Sequence, residues 1–213
     1  MNTKTHQQLR DADKKLKVVG AYATATFTVL LALQLSSCAS VNARDKAVDV
    51  PARLAPGAHE ALTDIVPAHG VQIYECRANK DQPGTYAWAF VAPEANLLDE
   101  NGIRIGSHYA GPHWEANDGS KIVGALKERA DAPVANAIPW LLLSAKSVGA
   151  EGTFSRVTSI QRVKTAGGTA PKDGCTQASA GATLRVSYAA DYYFFSARPP
   201  ARRAGRQATQ THY

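Results

Sequence analysis

Beyond residue 58 the apolar positions recur mostly with a period of two. Val71, Ile73 and Glu75 alternate with Gln72, Tyr74 and Cys76, and Tyr86, Trp88 and Phe90 place three aromatic rings on one face of a second run. Ile103 and Ile105 flank Arg104, and Trp140-Leu141-Leu142-Leu143 is a continuous apolar run after Pro139. Residues 156–163 are rich in β-branched side chains. The longest alternation sets Leu184, Val186, Tyr188, Ala190, Tyr192 and Phe194 against Arg185, Ser187, Ala189, Asp191 and Tyr193. Such alternation predicts strands with one or both faces buried. Turn residues separate the runs: Pro83-Gly84, Asn101-Gly102, Asp118-Gly119, Gly167-Gly168 and Asp173-Gly174. The pattern predicts an all-β, single-domain antiparallel sandwich or barrel. Short helices are expected only at 57–66, before Pro67, and at 122–130. No repeat of 20–50 residues is present.

The N-terminal third follows a different rule. Lys4, Arg10, Lys14, Lys15 and Lys17 face only Asp11 and Asp13, and residues 18–35 then carry no charge. A basic segment, an apolar segment and small residues at a cut site form an export signal. Leu35-Ser36-Ser37-Cys38 is similar to a bacterial lipobox, with Cys38 as the lipidated residue. Two alternatives stay open at this point: ordinary cleavage near Ser37-Cys38-Ala39 with secretion, and retention of the apolar segment as an anchoring helix. By resemblance to enteric lipoprotein sorting, Ala39 favours an outer-membrane address. The expected organisation is a lipoprotein signal peptide at 1–37, a linker at 38–57, the all-β domain at 58–197 and a disordered basic tail at 198–213. The expected location is the cell envelope, lipid-anchored, or the secreted fraction.

Charge narrows the partners. The whole chain carries a formal +6, but residues 38–197 hold 15 Lys and Arg against 16 Asp and Glu, a net of −1. A folded domain without a basic excess is not a nucleic-acid binder. Cys76 and Cys175 remain once Cys38 is set aside, and an even pair in an oxidising compartment predicts a disulfide. The bridge would close a loop of 99 residues, worth up to about 4.7 kcal/mol on the chain-entropy model.

Seven segments carry a family resemblance: 70–76 (GVQIYEC), 88–95 (WAFVAPEA), 108–115 (HYAGPHWE), 118–120 (DGS), 138–143 (IPWLLL), 167–171 (GGTAP) and 188–192 (YAADY). Together they resemble the domain of unknown function 3455 family, which occurs in exported bacterial proteins and in fungi. The resemblance covers roughly residues 54–195. It implies an exported setting and brings no established activity and no catalytic residues. No Gly-x-Gly-x-x-Gly follows a strand, so a nucleotide cofactor is not expected.

The richest candidate segment runs from His108 to Asp118. It holds His108, His113, Trp114, Glu115 and Asp118, with Gly111-Pro112 turning the chain between the histidines. Its spacing matches no standard zinc pattern, and neither a metal nor another cofactor is expected. The alternative is a strand–turn–strand in which Trp114 fills the core and His108 bonds a backbone carbonyl. Tyr193 departs from the polar phase of its strand and is expected to be exposed, with Asp191 at its side either a solvated charge, the favoured reading, or part of a polar rim. These residues lead to two functional expectations. The first is a non-catalytic binding or structural module of the envelope, contacting a glycan or an envelope protein and held to the membrane through Cys38. The second is a metal-assisted or acid–base hydrolase-like enzyme centred on residues 108–118.

Overall fold

A computed structural model describes residues 48–199 of the protein. Cys38, the signal segment and all but the first two residues of the tail lie outside the described residues. Eight antiparallel strands follow one another around a closed barrel: β1 (Glu60–Ala78), β2 (Tyr86–Leu98), β3 (Arg104–Tyr109), β4 (His113–Ala116), β5 (Lys121–Ala130), β6 (Trp140–Ser147), β7 (Val157–Gly167) and β8 (Thr183–Ala197). The last strand pairs with the first, so every strand has two neighbours. The expected all-β fold is therefore a barrel, and all-next-neighbour pairing follows from the short turns.

Alternation along each strand sorts side chains into two cores. Val66, Ala68, Leu97, Trp114, Ile122, Ile160, Tyr192 and Phe194 fill the interior. Leu54, Trp140, Leu142, Val163, Tyr193 and Phe195 form a second cluster outside the wall. The chain segment before β1 covers this outer cluster. A single 3-10 turn at Ala52–Leu54 delivers Leu54, which is fully buried, and Gln161 Nε2 donates to the Leu54 carbonyl at 2.6 Å. Arg53 Nε reaches the Arg129 carbonyl at 2.8 Å. Residues 48–57, expected as linker, are thus packed against the barrel. Tyr193, expected to be exposed, is 2% exposed because this segment lies over its face of β8.

Both expected helices are strand. Residues 60–66 begin β1, where the chain pairs only with β8; β2 joins at Ala68, so Pro67 interrupts no second ladder. Residues 122–130 form β5, and a bulge between Leu126 and Glu128 shifts its phase and disturbs the two-residue pattern.

The two barrel ends are closed differently. At one end Phe154 packs edge-on against Phe194, with ring centroids 4.9 Å apart. At the other, the loop 168–182 folds over the opening. Tyr74 Oη donates to the Gly168 carbonyl at 2.6 Å, Trp88 Nε1 donates to the Asp173 carbonyl at 3.0 Å, and a Cys76–Cys175 disulfide ties the loop to β1.

Candidate functional site

The wall opens between β2 and β5. β3 and β4 are the short strands of the barrel. β2 pairs with β3 only from Ala95 onward, and β4 pairs with β5 only as far as Val123. Above the 110–112 turn, residues 86–94 of β2 and 124–130 of β5 therefore have no ladder partner on their facing sides among the described residues. The turn closes against β5 by one bond, from Gly124 N to the Pro112 carbonyl at 3.0 Å. Phe90, Val91 and Leu126 border the gap, and Phe90 and Leu126 are 52% and 61% exposed.

Behind this window lies a cavity of about 350 Å³. Apolar side chains of Phe90, Pro93, Trp114, Leu126, Leu141 and Leu143 line it, with His108, Arg162 and Tyr192 as its polar members. Two glycines shape it. Gly111 sits at φ 114°, and a Cβ there would lie 2.2 Å from the His113 ring, so the turn needs a residue without one. Gly124 gives Trp114 its space, since a Cβ would approach the indole to 2.8 Å.

His108 lies inside the barrel, stacked on Trp114 at 4.1 Å and edge-on to Tyr192 at 5.1 Å. Its Nδ1 donates to the His113 carbonyl at 2.8 Å, which leaves Nε2 as an acceptor. Burial pushes the pKa of His108 down to about 3, so the ring is neutral at pH 7. The indole Nε1 of Trp114 is buried and has no partner among the described residues. Tyr188 and Tyr192 face each other with hydroxyls 3.3 Å apart, and burial raises both phenols above the ordinary range.

The remaining sequence candidates lie elsewhere. His113 bonds the Ala110 carbonyl through Nδ1 at 2.7 Å, within its own turn. Glu115 faces outward, opposite to Trp114 on the same strand, where it accepts from the Tyr109 hydroxyl and pairs with Lys121 at 3.5 Å. The Tyr109 bond holds its carboxyl below the usual range. Asp118 clamps the turn between β4 and β5 to the 148–156 loop. Its carboxylate accepts from Ser120 Oγ (2.6 Å), Ser120 N (2.9 Å), Thr153 Oγ1 (2.7 Å) and Thr153 N (2.8 Å), and these bonds hold it well below the usual carboxylate range. Asp191 pairs with Lys164 at 3.1 Å. Of the seven side chains singled out in the sequence, the cavity brings together only His108 and Trp114. The described residues contain no group of three His, Cys, Asp or Glu side chains placed to hold a metal ion.

Sequence reasoning missed Phe90, Leu126 and Arg162 as cavity residues. A signal for Arg162 was available: it stands two residues from Ile160, on the same inward phase of β7, where a charge is out of place.

No curated protein and no solved structure matches the chain. Residues 56–196 match the family model described as protein of unknown function (DUF3455), which spans the whole barrel and most of the chain. The protein is a member of that family.

Proposed function

We propose that the barrel is a non-catalytic binding module that admits a small, largely apolar molecule through the window between β2 and β5. The observation that carries this reading is the apolar cavity behind a break in the wall, bordered by exposed Phe90, Val91 and Leu126. Its volume falls in the range of small-ligand sites, roughly 300–1,000 Å³. Closed barrels of eight strands have interiors wide enough for one small ligand. Glycan binding is less favoured by this geometry, because Trp114, Tyr188, Tyr192 and Tyr193, whose rings could stack on sugars, are all buried. The hydrolase reading has no supporting constellation among the described residues: Glu115 and Asp118 do not share the cavity with His108. The export signal and Cys38 support a setting in the cell envelope, with the lipid as the membrane contact.

An uncharged environment-sensitive dye, N-phenyl-1-naphthylamine, tests the module. Saturable one-to-one fluorescence enhancement is expected, and Leu126→Glu at the exposed lip should weaken it without changing the melting temperature. Non-saturable binding, or equal binding by the variant, would remove the basis for the proposal.

A further inference from the structure

The cavity's wall is apolar, yet one of its residues is a cation. Arg162 stands on β7 opposite Leu141 of β6 and Tyr192 of β8, and both neighbours face the interior. Its Nε and Nη2 both donate to a single acceptor, the Pro139 carbonyl, at 3.1 and 2.8 Å. Its charge acts on Tyr74, His108, Tyr188 and Tyr192. Among the described residues it forms no ion pair; those present join Arg77 to Glu75, Lys121 to Glu115, Lys164 to Asp191 and Arg185 to Glu94. Among the described residues, no Asp or Glu lines the cavity. A half-buried guanidinium with five donors, two of them spent on one carbonyl, leaves charge and donors toward the cavity for something negative.

Position adds to charge. In a closed ring of eight strands, β7 and β8 lie across the barrel from β3 and β4. Arg162 and Tyr192 are thus on the far wall, facing the window over the shortened β3–β4 hairpin. Donors and the positive charge sit deep, and apolar side chains sit at the lip.

Resting on the binding-module reading, we infer that the guest is an anionic amphiphile: a small carboxylic acid with an aliphatic tail, inserted head-first. Arg162 holds the carboxylate with bonds from its guanidinium, the Tyr192 hydroxyl lies alongside, and Phe90, Val91 and Leu126 cover the tail at the window. At about 30 Å³ per water-sized group, the 350 Å³ cavity accommodates about a dozen non-hydrogen atoms, the size of decanoate.

The test compares decanoate, decan-1-ol and decyltrimethylammonium, all below their micellar concentrations, on the full chain. Binding is followed by tryptophan fluorescence and calorimetry. Decanoate should bind at least tenfold more tightly than decanol, and the cation should not bind. Arg162→Met should erase the preference, weakening decanoate by about 10- to 100-fold while leaving decanol within about threefold. Arg162→Lys should retain part of the preference. If decanol and decanoate bind alike and R162M changes neither, the inference about the anion is overturned while the binding module stands. If neither binds, both readings fall. Should R162M not fold, the wild-type ranking decides: decanoate ahead supports the inference, and equal binding of all three compounds overturns it.

Discussion

Acidification should weaken this barrel as the pH falls below 6.5, and His108 is the reason. Its ring is enclosed by Trp114 and Tyr192, and the positive charge of Arg162 acts on it. Burial lowers its pKa from the ordinary 6.5 to about 3. Unfolded chains take up a proton at this residue below pH 6.5 and the folded one does not, so the unfolded state binds more protons and stability falls with falling pH. The full slope is about 1.4 kcal/mol per pH unit, and the loss reaches about 2 kcal/mol by pH 5. His108→Phe keeps an aromatic ring against Trp114 but strands the His113 carbonyl, at a cost of about 1 kcal/mol at pH 7. The variant should therefore be the less stable protein at pH 7 and the more stable one at pH 5, with the two curves crossing near pH 6. Urea titrations at half-unit pH steps, read by far-ultraviolet circular dichroism, measure this directly. A difference between the two proteins that stays constant from pH 7 to pH 5 would refute a neutral, buried imidazole.

Three further outcomes are expected. Reducing the Cys76–Cys175 bridge, which closes a separation of 99 residues, should lower the melting temperature by on the order of 10 °C, as followed by differential scanning calorimetry with and without reductant. Leu54→Ala should cost about 2–4 kcal/mol in denaturant titrations, although Leu54 lies just before the matched family region; a cost near zero would show that the segment at 48–54 does not seal the outer cluster. Asp118→Asn should lower the melting temperature at pH 7. Because the Asp118 pKa is depressed in the fold, its contribution is present above the ordinary aspartate range and fades as pH falls through it, so the variant should lose less than the wild type between pH 5 and pH 3. Parallel pH profiles would argue against the clamp.

The strands were legible wherever one face is buried and the register is undisturbed, as in β8 and the first half of β7. They were illegible where a bulge breaks the phase, as after Leu126, or where helix-forming residues occupy a strand, as in Ala125 to Ala130. The disulfide followed from an even cysteine pair, and Trp114 in the core with His108 on a carbonyl was one of the two readings of that segment. Tyr193 was misjudged because its cover comes from residues 48–54, far away in sequence, although Tyr192 through Phe195 is a continuous apolar run that suits a strand buried on both faces. The cavity was beyond local reading. It arises from the unequal lengths of β2, β3, β4 and β5, and hairpin length relative to its neighbours is a property of the assembled barrel.

A break in a barrel wall also exposes backbone. Along the window, β2 and β5 present N–H and C=O groups with no neighbouring strand, the kind of surface on which other chains can pair and aggregation can start. The chain guards both margins. On β2, Pro93 offers no donor, and the register shift opposite Ile73 and Tyr74 sets Val91 out of the ladder. On β5, Lys127, Glu128 and Arg129 crowd the free stretch with charge beyond its own bulge. The opening in the wall is thereby kept from recruiting a ninth strand, and a substitution that removed Pro93 or the charges is expected to turn it into a seed for polymerisation.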